Sequence, residues 1–160
     1  MKIRSFLVIL VLVFFLVSCE DISQDYNPEK LDHELILKIV NQKRADTCYC
    51  GRTAYPPVGE VKWNDTLEYE AKNYSIRMNT QNFIDYSEID ALQIGNKLND
   101  IGYNYSNFGV NILKGYTDEE KVVNFWFGHS HYCQRLMNGN FTEIGLARSS
   151  HYWTMVLTAR

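Results

Sequence analysis

"HYWTMVLTAR", residues 151–160, decides the fold. Tyr152, Trp153, Met155, Val156 and Leu157 make the run apolar at odd and even positions alike. A strand here offers apolar side chains to both faces of a sheet, and such strands are covered on both sides. The run before it, "FTEIGLARS" (141–149), is also rich in β-forming residues, and the polar turn at Ser149 and Ser150 joins the two as a hairpin.

Outward from the hairpin, "FGVNIL" (108–113) alternates Phe108, Val110 and Ile112 with Gly109, Asn111 and Leu113, the pattern of a further strand. Helical spacing dominates elsewhere. Residues 31–45 place Leu31, Leu35, Ile39 and Lys43 on one stripe with Ile36 and Val40 beside it. "TCYCGRTAYPPVGEV" (47–61), with its glycines and Pro pair, predicts a loop. "WNDTLEYEAKNYSIRMN" (63–79) opens a second helix at the N-cap Asn64 and repeats Leu67, Ala71, Tyr74 and Met78 along a buried face. A third helix covers 92–101 and stops at Gly102. A fourth begins in "TDEEKVVNFWFGHS" (117–130), where Thr117 and Glu120 have capping-box spacing. Helices before, between and around antiparallel strands predict an α+β fold, a three-layer α-β-α sandwich with a small antiparallel sheet between helices.

The N-terminal residues do not belong to that sandwich. Lys2 and Arg4 precede the apolar run "FLVILVLVFFLV" (6–17), and "LVSC" (16–19) follows in the form of a lipobox, in which Cys19 becomes the lipidated N-terminus. The expected organisation is a lipoprotein signal peptide at 1–18, lipidated Cys19 and a polar tether over 19–30, and one domain at 31–160. The acyl chains would hold the protein on a membrane. With 46% hydrophobic residues the chain suits one compact domain. Its net charge of -3 becomes more negative once Lys2 and Arg4 are removed, and no basic stripe is present, which argues against a nucleic-acid partner.

Cys48, Cys50 and Cys133 remain in the mature chain. C-x-C with a distant third cysteine lacks zinc-ribbon spacing, and export permits disulfides, so one bridge and one residual thiol are expected. Closing a loop of about 80 residues would add roughly 4 kcal/mol on the chain-entropy model.

Five blocks in unbroken order carry a family resemblance: "ILKIVNQKRA" (36–45), "PPVGEVKWNDTLEYEAKNYSIRMNTQNF" (56–83), "NKLNDIGYNYSNFGVNI" (96–112), "VVNFWF" (122–127) and "LMNGNFTEIGLA" (136–147). Together they resemble the bacterial branch of the CAP superfamily (cysteine-rich secretory, antigen 5 and pathogenesis-related proteins), or SCP domain, over about residues 33–157. The resemblance implies an α-β-α sandwich with a central cleft lined in many members by His and Glu that can hold a divalent metal. In "NFIDYSEID" (82–90) Asp90 matches, but Tyr86 stands at a family His. Gly109-Val110-Asn111-Ile112 has Val110 where the family has Glu, and Tyr132, six residues after Trp126, stands at the second family His. Neutral imidazole and carboxylate bind zinc; a phenol titrating near 10 does so poorly and valine not at all. The register also implies a Cys50–Cys133 disulfide, with Cys48 as the alternative partner.

This reading assigns no catalytic residue, metal ligand or cofactor. It expects an envelope-anchored CAP lipoprotein, on the outer membrane or cell surface of a bacterium, that acts by surface or cleft binding. Its partners would be the membrane, through the lipid, and a protein, polymer or small apolar ligand. Two alternatives stand beside it. One is a metal-dependent or hydrolytic protein acting on envelope or extracellular polymer through relocated His129, His131, His151 and Glu143. The other is an aromatic cleft built from Tyr86, Tyr103, Tyr105, Tyr132, Tyr152 and Trp153 that binds lipid.

Overall fold

The computed structural model describes residues 30–84 and 88–160. The signal peptide, Cys19, most of the tether and Tyr86 lie outside these residues. In chain order the elements are α1 (His33–Arg44), β1 (Cys48–Cys50), β2 (Thr53–Tyr55), β3 (Lys62–Trp63), α2 (Asp65–Gln81), α3 (Glu88–Asp100), β4 (Asn107–Lys114), α4 (Glu119–Gly128), α5 (Ser130–Leu136), β5 (Glu143–Ser149) and β6 (Tyr152–Ala159).

The main sheet has the order β3-β5-β6-β4. Its pairs are antiparallel except the short parallel contact of β3 with β5. β6 lies between two neighbours and is buried at every position. Its side chains divide by the two-residue period of a strand. Trp153, Met155 and Leu157 join Ile36 and Val40 of α1, Val122 and Trp126 of α4, and Leu136 of α5. Tyr152 and Val156 join Leu67, Ala71, Tyr74 and Met78 of α2 and Ile94 and Leu98 of α3. The result is a three-layer α-β-α sandwich with a separate core on each side of the sheet.

The helix borders follow local chemistry. Asn64 caps α2, its Oδ1 accepting from the amides of Thr66 at 3.0 Å and Leu67 at 3.2 Å. Gly145 of β5 sits directly beneath this first turn. A Cβ there would stand 2.2 Å from the Glu68 amide nitrogen, so the bare backbone is what lets α2 lie against the sheet.

Several expectations are corrected. The buried face of α1 is Ile36, Val40 and Arg44, one position round from the stripe through Leu35, Ile39 and Lys43. The stretch 47–61 is not all loop: β1 and β2 form an antiparallel ribbon. Asp118, not Thr117, caps α4, because its carboxylate accepts the Lys121 amide at 2.9 Å. A further short helix, α5, follows the fourth. His129 has extended backbone, φ -118 and ψ 123, and separates α4 from α5.

Arg44 is fully buried. Its guanidinium donates to the carbonyls of Gly59 at 2.8 Å, Phe141 at 3.0 Å and Asn138 at 3.3 Å, and to that of Leu136. Desolvation lowers its pKa to about 10, which leaves it protonated at neutral pH. Arg44→Met keeps much of the volume but strands these carbonyls. We expect it to lower the unfolding free energy by about 3 kcal/mol or more, since each orphaned buried acceptor costs about 1–3 kcal/mol. Urea unfolding followed by Trp fluorescence measures the loss.

Candidate functional site

The positions matching the family cavity are Val110 on β4 and Tyr132 on α5, with Tyr86 outside the described residues. Val110 pairs with Val156 across the sheet and packs against the α2–α3 core. Its neighbour Asn111 points the opposite way, and its Nδ2 donates to the Tyr132 carbonyl at 3.3 Å. The Tyr132 ring packs on the other core, 6.3 Å from Phe125 and 6.4 Å from His129 between centroids. Both positions therefore carry packing side chains, and they join different clusters.

The histidines singled out in the sequence remain separate from any shared ligand set. His129 stacks on Phe125 at 3.8 Å, and its Nδ1 lies 2.7 Å from the Phe125 carbonyl, as the Nδ1–H tautomer donating to it. His131 is exposed in the first turn of α5, and His151 is exposed in the β5–β6 turn. Glu143, at the start of β5, already serves three partners. The Tyr103 hydroxyl donates to it, Asn64 Nδ2 lies 3.3 Å away, and Arg160 forms an ion pair at 3.6 Å.

The described members of the aromatic set, Tyr103, Tyr105, Tyr132, Tyr152 and Trp153, divide between the two cores. Tyr152 belongs to the α2–α3 core and Trp153 to the other. Their polar tips have partners: the Tyr105 hydroxyl donates to the Gly95 carbonyl at 3.0 Å, Tyr152 to Asn82 Oδ1 at 2.7 Å, and Trp153 Nε1 to the Tyr116 carbonyl at 2.7 Å. A clasp that sequence reasoning missed joins α1 to α2. His33 stacks on Trp63 at 3.9 Å, and Glu68 accepts from Trp63 Nε1 at 3.0 Å while lying 3.2 Å from His33 Nε2. No local signal announces it, because its members lie up to 35 residues apart.

Cysteine chemistry is concentrated at the other end of α1. Cys50 and Cys133 are joined by a disulfide, which ties β1 to α5. Cys48 is a free thiol, and its Sγ lies 3.7 Å from Cys133 Sγ. Among the described residues, the three potential metal ligands that converge are these sulfurs, within 4.8 Å of one another. With two of them in a bridge, one thiol is left, short of a tetrahedral ligand set. Burial pushes the Cys48 thiol above its ordinary pKa, and the nearby Lys43 ammonium opposes that shift. Cys48 opens onto a groove of about 460 Å³ shared with Ile39, Lys43, Asp46, Tyr49, Glu120 and Asn124.

The model of the cysteine-rich secretory protein family, CAP, matches residues 37–157. The uncharacterized protein YkwD of Bacillus subtilis is 29% identical over 93 residues, which is 57% of this chain and 36% of that protein. The chain thus spans about a third of the length of that curated relative. In structure, it is similar to an extracellular protein containing an SCP domain from Bacillus anthracis, with TM-score 0.65 and 16% identity, covering 79% of this chain and 40% of that one. It is also similar to an outer surface protein of Borrelia burgdorferi, with TM-score 0.58 and 17% identity, covering 82% and 97% respectively. At these identities the structural likenesses establish the fold.

The Tyr103–Glu143 contact yields a test. The Tyr103 phenol is pushed up to about 12, first by burial and then by its hydrogen bond to Glu143. Its ordinary value is 10.0, so above that pH the folded chain keeps a proton that the unfolded chain has lost. The stabilisation is complete below about pH 10 and is lost as pH rises through about 12. Urea midpoints should fall more steeply across that window in a Cys48→Ser background than in Cys48→Ser/Tyr103→Phe.

Proposed function

The chain belongs to the cysteine-rich secretory protein (CAP) family, and from that premise we propose that it is an envelope-anchored domain that works by surface or cleft binding rather than by His/Glu chemistry. The observation that carries this reading is Val110. Where the resemblance implies a carboxylate, a half-buried aliphatic side chain packs against the α2–α3 core. Tyr132 at the second His position agrees with it, because a phenol is a poor zinc ligand near neutral pH. The relocated set of His129, His131, His151 and Glu143 gains no support from geometry: one His caps a helix break, two are exposed at other places, and the carboxylate is engaged by Tyr103.

Anchoring rests on the sequence "LVSC" (16–19), in which Cys19 is the lipid-bearing residue. In this reading the acyl chains on Cys19 supply the membrane attachment, and no helix among the described residues is long and apolar enough to cross a membrane. The extracellular and outer-surface proteins of like fold are consistent with a location outside the cytoplasm.

Zinc titration by calorimetry, with metal analysis of the purified protein, tests the binding-module reading. We expect no saturable binding below about 1 mM. Micromolar affinity would overturn it and revive metal-dependent chemistry. Replacing Cys19 by Ala should move the protein from the detergent phase to the aqueous phase in Triton X-114 partition.

A further inference from the structure

We propose that Cys48 is the exchange thiol of the Cys50–Cys133 bridge, so that the three sulfurs form a thiol–disulfide exchange site rather than a fixed crosslink. Cys48 and Cys50 are two residues apart in β1 and therefore project from one face of the ribbon. α5 brings Cys133 to that face, with Cys48 Sγ 3.7 Å from Cys133 Sγ. A third sulfur in contact with a disulfide is more than strand pairing requires.

Accessibility gives the three sulfurs different roles. Cys50 and Cys133 are 1% and 0% exposed, whereas Cys48 is half-buried and reaches the groove beside Lys43, Tyr49 and Glu120. Solvent thiols reach the cluster at Cys48. On the other face of the ribbon Tyr49 and Ala54 are exposed, so the side of β1 away from the sulfurs is not packed into the core. Burial raises the Cys48 thiol above its ordinary value and the Lys43 ammonium only partly opposes that rise, so the attacking thiolate forms under alkaline conditions.

In the first step the Cys48 thiolate attacks Cys133 Sγ. The Cys48–Cys133 bond forms as the Cys50–Cys133 bond breaks, and Cys50 leaves with the electron pair as a thiolate. That thiolate takes up a proton equivalent to the one Cys48 lost, so nothing is oxidised or reduced overall. In the second step an external small-molecule thiolate attacks Cys48 Sγ. It forms a mixed disulfide there and releases Cys133 as a thiolate. A second external thiolate then displaces Cys48, leaving a reduced protein and one external disulfide. Two external thiols have been oxidised and the bridge has gained two electrons. The reverse sequence oxidises the protein with an external disulfide.

The test uses the purified oxidised protein, held at about pH 9 because burial raises the Cys48 thiol above its ordinary value, then quenched in acid, unfolded and alkylated with N-ethylmaleimide. Chymotryptic cleavage after Tyr49 separates Cys48 from Cys50 for mass spectrometry. We expect two populations, one alkylated at Cys48 and one at Cys50, each with the other cysteine bridged to Cys133. A Cys48→Ser variant should retain the Cys50–Cys133 bridge but be reduced by glutathione about tenfold or more slowly than wild type. A Cys50→Ser variant should form Cys48–Cys133. Absence of any Cys50-alkylated wild-type protein, or equal reduction rates for wild type and Cys48→Ser, overturns the proposal.

Discussion

A single buried cation sets the geometry on one side of the sheet. The guanidinium of Arg44 faces backbone carbonyls from three separate places: the segment before β3, the end of α5, and the turn that enters β5. Taking such a charge out of water is costly, and several charge-assisted hydrogen bonds in a planar fork are what offset the cost. One turn earlier, Asn41 makes the matching contact with Val61. Its side chain donates to the Val61 carbonyl at 3.0 Å and accepts from the Val61 amide at 2.9 Å. Asn41 and Arg44 thus hold, from one helix, the two chain segments that become β3 and β5. The parallel pairing of these strands is short, only Lys62 with Glu143 and Trp63 with Ile144, and it depends on being positioned from outside.

The opposite side of the sheet is set by closeness rather than charge. Gly145 removes the Cβ that would meet the backbone of α2, and Ser75 of α2 donates to Thr154 of β6 at 2.9 Å inside the contact. A polar pair there satisfies the hydroxyl groups without separating the layers. The two cores are therefore unlike: one is threaded by a hydrogen-bonded cation, and the other is pressed together by a missing side chain.

What could be read in advance follows from this division. β6 and α2 were legible because their burial is written in neighbouring residues, as an apolar run and as the interval through Leu67, Ala71, Tyr74 and Met78. In α1, Ile36 and Val40 stood beside the expected stripe, but burial of Arg44 was not legible, because it counts as polar in any periodicity and its carbonyl partners lie up to 97 residues away. β1, β2 and β3 contain two or three residues each, too few for a pattern, and the break at His129 has neither Gly nor Pro at the residue itself. At the candidate site, the register placed Val110 and Tyr132 at family positions. It could not say which core each would join. Cys48 was in view as an alternative partner of Cys133, but that both sulfurs reach it at once was not legible, because the same-face rule for Cys48 and Cys50 applies only once that stretch is known to be a strand.

The position of β6 in the sheet has a consequence for biosynthesis. The strand is flanked on both sides, by β5 and β4, yet follows every other strand in chain order. Neither neighbour can complete its pairing, and neither core can close, until residues 152–159 have been made. A nascent chain emerging from the ribosome would carry helices with exposed apolar faces and no sheet to receive them. Late closure of this kind keeps the polypeptide from reaching its final packing until synthesis is nearly done, so the order of the strands along the chain delays folding as a whole.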